Sequence, residues 1–385
     1  MLCNNLFFYF YKWFLNLFFR KDYFLKFENL FDGKVFLLSR GRFALDLIFN
    51  SIKYKEKSEI IIPNFYLKEL VPILKKKKLK VILCDINNED LSFNLNQLIS
   101  KINNKTKFII LSHMFGICGN VNKIIAEIKK KKKDIIIIED CAHSFGSKFN
   151  NKNLGIFGDF SLFSFDYIKP LNLFSGGALL VNNEKYYEFI LKNYKYFKKP
   201  KKITILKKIF YYIFQNLFLK TPLFIFIKNI LKNKKTRKIL EQFHKSNKYE
   251  FEKLSSFQAM MGFYELNDFF NKLNNLDKIR QRYIQIIKKI PNVKILKKDF
   301  CTKYSQYSFY ILTNKNSKII ENKMHRLGID VGIKDEVMNI CSSDINKYPN
   351  SIKLYNEIIQ LPFYISLNDK KIMKICNALN EAVNK

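Results

Sequence analysis

The stretch from Asp134 to Val181 constrains the fold of this 385-residue chain more than any other. It begins with four consecutive isoleucines at positions 135–138, an apolar run typical of a strand buried on both faces of a parallel sheet. The run ends in Glu139 and Asp140. Because open α/β sheets bind their ligands at the carboxyl edge of the strands, we expect a ligand site at this strand end.

Two further strand-like runs follow in the same stretch. The first, Phe160 to Phe165, contains Ser164 and is followed closely by Lys169. A pair of glycines at 176–177 then turns the chain into the second run, Ala178 to Val181. The pattern therefore predicts an acid, a hydroxyl and a lysine on neighbouring strand ends.

These three groups suit pyridoxal phosphate. This cofactor needs a lysine amine for covalent attachment, an anion beside its pyridine nitrogen, and hydroxyls and backbone amides around its phosphate. Lys169, Asp140 and Ser164 are the candidates. Taken singly, a strand-end aspartate is often a helix cap, and a lysine is one of 68 basic residues. Their occurrence together and in this order favours catalysis.

The stretch resembles the pyridoxal-phosphate sugar aminotransferases typified by DegT and StrS. The matching residues, in chain order, are Glu139-Asp140-Cys141-Ala142-His143, Gly158-Asp159, Ser164-Phe165, Lys169 and Gly176-Gly177. The resemblance implies a fold-type-I α/β enzyme, with a mostly parallel sheet wrapped by helices and a smaller C-terminal α/β domain. It implies a homodimer that moves an amino group, from glutamate, to a keto group of a nucleotide-activated sugar in surface-polysaccharide or amino-sugar biosynthesis. Lys169 is the implied catalytic residue.

Further residues match the cofactor-binding positions of that family. Asp140 and Ser164 correspond to its pyridine and phosphate partners, and His143 to the residue that contacts the cofactor ring and its phenolic oxygen. Gly41 corresponds to the glycine that opens the first helix, while Arg42 replaces the family's threonine. For Arg42 two interpretations stay open, a phosphate partner or a plain helix start.

Three departures from the family pattern stand out. Leu67 lies where an aromatic residue usually covers the pyridine face, so Phe65 or Tyr66 is expected to take that place. The asparagine and arginine that precede the family's long helix are not recognisable; Asn247 is near but out of pattern. His113, in a segment like the family's Val-His-x-x-Gly, is more easily explained as a hydrogen-bonded structural residue than as a catalytic one.

Two alternatives to the transaminase remain. Related sugar dehydratases carry a histidine in place of the lysine, and Lys169 argues against that chemistry. The other alternative is a non-catalytic, membrane-associated protein of polysaccharide assembly, which the departures motivate. No two of the four histidines have metal-ligand spacing, and the sequence contains no Cys-x-x-Cys motif. We therefore expect no metal site.

The pattern of the whole chain predicts five regions. They are a hydrophobic N-terminal segment (1–34), a cofactor-binding domain of alternating strands and helices (35–196), a basic amphipathic and aromatic insert (197–250), a long connecting helix (251–290) and a small C-terminal domain (291–385). For the apolar run Leu6 to Phe19 we expect a helix packed on the protein or lying on a membrane. It is too short and too interrupted to span one.

Bulk composition limits the cellular setting. The net charge of +35 comes mostly from lysine runs such as 129–133 at predicted helix ends, without the arginine and aromatic interleaving of RNA-binding proteins. We therefore expect no nucleic-acid function. Seven scattered cysteines indicate reduced thiols and a cytoplasmic protein. The basic segment 203–231 indicates peripheral contact with the inner face of a membrane.

Overall fold

The computed structural model describes residues 6–19, 22–166, 169–201, 203–207, 209–210, 213, 251–296, 300–303, 305, 307–332 and 339–384. Its strands, in chain order, are β1 (Lys34–Leu38), β2 (Glu59–Pro63), β3 (Lys80–Cys84), β4 (Thr106–Ser112), β5 (Ile136–Asp140), β6 (Lys148–Phe149), β7 (Lys152–Asn153), β8 (Phe160–Ser164), β9 (Gly177–Val181), β10 (Val293–Ile295), β11 (Cys301–Lys303), β12 (Phe309–Thr313) and β13 (Ile358–Leu361).

Helices alternate with these strands. In chain order they are α1 (Leu6–Phe19), α2 (Tyr23–Glu28), α3 (Phe43–Ser51), α4 (Leu70–Lys76), α5 (Leu95–Lys101), α6 (Val121–Lys131), α7 (Tyr187–Tyr194), α8 (Ser256–Ile287), α9 (Ser317–Arg326), α10 (Pro349–Glu357) and α11 (Asp369–Asn384). Two single 3₁₀ turns, Met114–Gly116 and Glu184–Tyr186, follow β4 and β9.

A seven-stranded sheet in the order β1-β9-β8-β5-β4-β2-β3 forms the centre of the large domain. The β2–β3, β2–β4, β4–β5 and β5–β8 pairs are parallel, whereas β9 runs antiparallel to both β8 and β1. Six strands therefore share one direction, which confirms the mostly parallel α/β sheet. The reversal of β9 was not predicted.

Both faces of this sheet are covered, because successive side chains of a strand point to opposite faces. In β5, Ile137 packs into one apolar cluster with α5, α6 and α8, which we call the lower layer. Its neighbours Ile136 and Ile138 pack into a second cluster with α3 and α4, the upper layer. The continuous isoleucine run is explained by this double burial.

A separate cluster lies in the C-terminal part of the chain. The small antiparallel sheet β10-β12-β13 packs there against the end of α8 and against α9 and α11. Tyr283 of α8 stacks on Phe309 of β12 and donates a hydrogen bond to the carbonyl of Pro362 (2.8 Å). The helix Ser317–Arg326 is followed by Gly328 in the left-handed conformation (φ 75°), which suits a helix end.

The N-terminal helix α1 packs on the protein. Trp13 Nε1 donates to Ser256 Oγ (3.2 Å), Tyr9 donates to Glu265 (2.6 Å), and both aromatic side chains are buried. None of the helices that the structure describes is both long and apolar enough to cross a bilayer. Most of the predicted amphipathic segment 203–231, and Asn247, lie outside the described residues.

Candidate active site

Asp140 ends β5 at the carboxyl edge of the sheet and is buried. It follows the even-numbered isoleucines, so its side chain lies on the upper layer. The backbone N–H of Ala142 donates to its Oδ1 (3.0 Å). The Tyr66 hydroxyl donates to Oδ2 in a short hydrogen bond. An anion is thus fixed at the place where the sequence predicted it.

Tyr66 is fully buried beside this carboxylate. Burial and the negative charge of Asp140 raise the pKa of Tyr66 well above its ordinary value. The phenol therefore stays protonated and acts as a donor at neutral pH. The sequence suggested Phe65 or Tyr66 as a cover for a pyridine face; the hydrogen bond to Asp140 is a contact that it did not suggest.

Lys169 follows β8 and lies close enough to Asp140 and His143 to interact electrostatically with both. Burial lowers the pKa of Lys169 to about 8, although Asp140 and Asp166 act in the opposite direction. In turn, burial and the positive charge of Lys169 hold the pKa of His143 well below its ordinary value. The predicted amine, anion and imidazole therefore meet in one place.

The loop that carries Lys169 is held from α8. The amide of Gln258 donates to the carbonyls of Leu173 (3.2 Å) and Ser175 (2.6 Å). Ser255 caps α8 and donates to the side-chain oxygen of the same glutamine (2.8 Å), which fixes its orientation. This role of Gln258 in positioning the lysine loop appears only in the fold.

The end of β8 and the start of α3 approach each other through glycines. A Cβ on Gly41 would lie 3.0 Å from Ser164 Cβ and 3.1 Å from the Phe163 carbonyl, and one on Gly177 would collide with Gly41 Cα. Within the described residues, the Arg42 side chain makes no capping hydrogen bond to α3 and is exposed. The half-buried Ser164 and this helix start therefore form a cradle suited to a phosphate.

His143 is buried against the turn that follows β4. Its Nδ1 accepts a hydrogen bond from the backbone N–H of Phe115 (3.3 Å), so the proton of the neutral ring lies on Nε2. Phe115 adopts a left-handed conformation (φ 59°) and packs its ring on Tyr310, with centroids 3.9 Å apart. Tyr307 meets His143 edge-on (5.6 Å). This aromatic surround was not predicted.

Glu139, next to Asp140, lies on the opposite, lower layer. Its Oε1 accepts from the N–H groups of Phe157 (2.6 Å) and Gly158 (2.7 Å), and its Oε2 accepts from that of Gly155 (3.1 Å) and contacts His113 Nε2 (2.9 Å). Cys141 lies within reach of the His113–Glu139 pair, but these hydrogen bonds already use the carboxylate oxygens. The geometry agrees with a structural His113.

These groups form one site at the carboxyl edge of the sheet. One end of the site has the amine of Lys169, the imidazole of His143 and the carboxylate of Asp140, and the other end has the Ser164 hydroxyl and the glycine-lined start of α3. This donor set fits pyridoxal phosphate. Asp140 and Lys169 would hold its ring, and Gly41 and Ser164 would hold its phosphate. The fold and the site place this protein in the class of fold-type-I aminotransferases.

The chain belongs to the DegT/DnrJ/EryC1/StrS aminotransferase family, whose model matches residues 32–380. This confirms the resemblance that the motifs indicated.

Curated relatives include enzymes of two chemistries. GDP-perosamine synthase of Escherichia coli O157:H7 is 32% identical over 172 residues, covering 43% of this chain and 47% of that protein. GDP-4-keto-6-deoxy-D-mannose 3-dehydratase of Escherichia coli O55:H7 is 29% identical over 181 residues, covering 44% and 45%. The chain spans slightly under half the length of these relatives.

Among solved structures, Spr1654 of Streptococcus pneumoniae in its PLP form is similar, with a TM-score of 0.69 and 17% identity over 91% of this chain and 87% of that chain. At this identity the likeness concerns the fold. It confirms the predicted α/β architecture over nearly the whole chain.

Proposed function

We propose that this chain binds pyridoxal phosphate and transfers an amino group, from glutamate, to the keto group of a nucleotide-activated sugar in amino-sugar or surface-polysaccharide biosynthesis. The observation that carries the proposal is the convergence of Lys169, Asp140 and His143 at one strand edge. A structural lysine is usually exposed, whereas this one is partly buried and has a lowered pKa.

Each residue has a distinct part in the proposed reaction. When bound, the cofactor supplies an aldehyde that accepts amines and a ring that withdraws electrons from the substrate carbon. Asp140 would accept a hydrogen bond from the ring nitrogen and would keep it protonated. His143 donates from Nε2 toward the ring, and Ser164 with the start of α3 holds the phosphate.

Lys169 holds the cofactor and moves the proton. With a pKa lowered to about 8, a useful fraction of its side chain is a neutral amine near neutral pH. The neutral form takes a proton from the substrate carbon, and the charged form returns one. A lysine at its ordinary pKa would be a poor base at that pH.

A dehydratase is the second candidate, because one relative bears that name. Both activities are tested by incubating the protein and pyridoxal phosphate with GDP-, dTDP- or UDP-linked keto sugars, with and without glutamate. A glutamate-dependent amino sugar supports the proposal. Loss of water from the sugar without amine gain supports the dehydratase, and no conversion of any substrate supports the non-catalytic alternative.

We also propose a homodimer with the active site between its subunits. The support is the family membership alone. Light scattering after size exclusion is expected to give twice the chain mass of 46.0 kDa. A monomer that retains full activity would contradict this part of the proposal.

Peripheral contact with an anionic membrane is a further part of the proposal. The helix α1 exposes Phe8 (44%), Tyr11 (57%) and Phe14 (48%), and Phe210 (63%) lies beside Phe10. A basic chain with exposed aromatic side chains suits an acidic lipid surface. Flotation with acidic vesicles, but not with neutral ones, is expected, and Tyr11→Ser is expected to weaken it. Absence of flotation would contradict the contact.

A further inference from the structure

Two cysteines that are far apart in the sequence meet behind the active site. Cys118 lies in the loop between β4 and α6, and Cys301 begins β11. Their sulfur atoms are 3.0 Å apart although 183 residues separate them. Cys118 is buried, while Cys301 is partly exposed.

The backbone around the two sulfurs is held by several hydrogen bonds. Ser147 Oγ contacts Ser305 Oγ (2.9 Å), accepts from the Ser305 N–H (3.0 Å) and donates to the Gly116 carbonyl (3.2 Å). The strand β11 pairs with β6 in the register Cys301 to Phe149. These hydrogen bonds hold Cys301 and Ser305 against the β4–α6 loop and therefore keep the two thiols in contact.

We propose that Cys118 and Cys301 form a redox-modification site, which a small-molecule disulfide such as oxidised glutathione converts into a reversible cross-link. The link would join the β4–α6 loop of the cofactor-binding domain to β11 of the C-terminal region. Neither residue takes part in the proposed transaminase chemistry, and the inference stands independently of it.

The chemistry follows thiol–disulfide exchange. The more exposed Cys301, as its thiolate, attacks one sulfur of oxidised glutathione; an S–S bond forms to Cys301 and one glutathione thiolate leaves. Cys118 then attacks the Cys301 sulfur, loses its proton to solvent and releases the second glutathione. Two protein thiols are oxidised by two electrons, and one glutathione disulfide is reduced to two thiols.

Forming the disulfide requires only a small movement of the two sulfur atoms. A disulfide bond is about 2.05 Å long, so the sulfurs must approach by about 1 Å, within reach of side-chain rotation. The hydrogen bond with Cys301 and burial raise the pKa of Cys118, which protects it from direct oxidation by solvent species. The contact with Cys301 offsets the low reactivity of the Cys118 thiol, because the second step of the exchange is intramolecular.

The cross-link would act on the turn that contacts His143. Gly116, two residues before Cys118, already accepts a hydrogen bond from Ser147 Oγ. Its neighbour Phe115 donates to His143 Nδ1 and packs on Tyr310. Closing so long a loop covalently restricts the unfolded chain. The oxidised protein is therefore expected to unfold several degrees higher than the reduced protein.

The test exposes the native protein to graded mixtures of reduced and oxidised glutathione, blocks free thiols by alkylation, and maps disulfides by mass spectrometry. We expect a peptide pair joining Cys118 to Cys301 that disappears with dithiothreitol, together with the higher unfolding temperature. Cys301→Ser should abolish both. Cys341→Ser, which removes another partly exposed cysteine, should leave both unchanged.

Cys118→Ala provides a second variant in case Cys301→Ser does not fold, and it should leave Cys301 carrying glutathione alone. The proposal is overturned if both thiols stay free at every ratio, or if each carries its own glutathione. Linkage of Cys301 to Cys341 as often as to Cys118 would overturn it too. All readouts are taken without cofactor or sugar, so they do not depend on the transaminase proposal.

Discussion

The two neighbouring carboxylates at the end of β5 have opposite surroundings. Glu139 lies on the lower layer, where three backbone N–H groups and His113 occupy its oxygens. Asp140 lies on the upper layer, where one backbone N–H and Tyr66 contact it and Lys169 and His143 lie nearby. Glu139 therefore holds a loop, whereas Asp140 lies in the candidate cofactor site, although both residues end the same strand.

The largest expected effect comes from Asp140→Asn. The amide cannot stabilise a charged pyridine nitrogen, so the rate of amino transfer should fall about 10²–10³-fold, as for loss of one preorganised electrostatic group. Steady-state kinetics with whichever nucleotide-linked keto sugar the wild type converts would measure it, and urea unfolding should change much less than for the Glu139 variant. A fall in stability without a fall in rate would reverse the roles of the two acids.

Glu139→Gln should act on stability instead. The amide nitrogen would face backbone donors that now point at an ionised oxygen, so we expect a loss of about 3 kcal/mol in the free energy of unfolding. Urea denaturation measures this, and cofactor binding by the protein that remains folded is the control. A variant as stable as the wild type would show that the 155–158 loop does not depend on Glu139.

Tyr66→Phe removes the donor to Asp140 and leaves the ring in place. We expect a loss of about 1.5 kcal/mol in unfolding free energy, since the bond is made to a charged acceptor. The absorbance of bound cofactor, followed across pH, should also shift, because Asp140 becomes a stronger acceptor for the ring nitrogen. An unchanged spectrum would mean that Tyr66 does not act through Asp140.

A pH dependence of stability is also expected. Because the pKa of Lys169 falls to about 8 on folding from its ordinary value of 10.5, the unfolded chain binds more protons between these values. This group therefore makes the cofactor-free protein more stable as pH rises from about 8 to 10.5. Lys169→Met should flatten that rise, measured as the difference between wild type and variant in urea unfolding. Parallel curves would contradict the lowered pKa.

Local pattern was enough to predict most of the fold. The isoleucine run predicted β5, and the order of the motif residues predicted the family, while Asp140, Ser164 and Lys169 remain the predicted site residues. These features depend on residues close in the sequence. Even the packing of the N-terminal helix on the protein was among the interpretations.

What the sequence could not predict depends on contacts between distant residues. Tyr66 reaches Asp140 across 74 positions, and Gln258 reaches the lysine loop across 83. The antiparallel direction of β9 depends on its pairing with β8 and β1, and the apolar pattern of the strand itself does not encode it. The left-handed Phe115 carries no local sequence signal of the kind that glycine or asparagine would give.

The most direct test of the account is the attachment of the cofactor to Lys169. Purified protein incubated with pyridoxal phosphate should show a visible absorption band that glutamate alters, and borohydride reduction followed by peptide mapping should place the fixed cofactor on Lys169. Lys169→Ala should lose both signals while keeping its fold. A colourless protein, or an adduct on another lysine, would contradict the central claim.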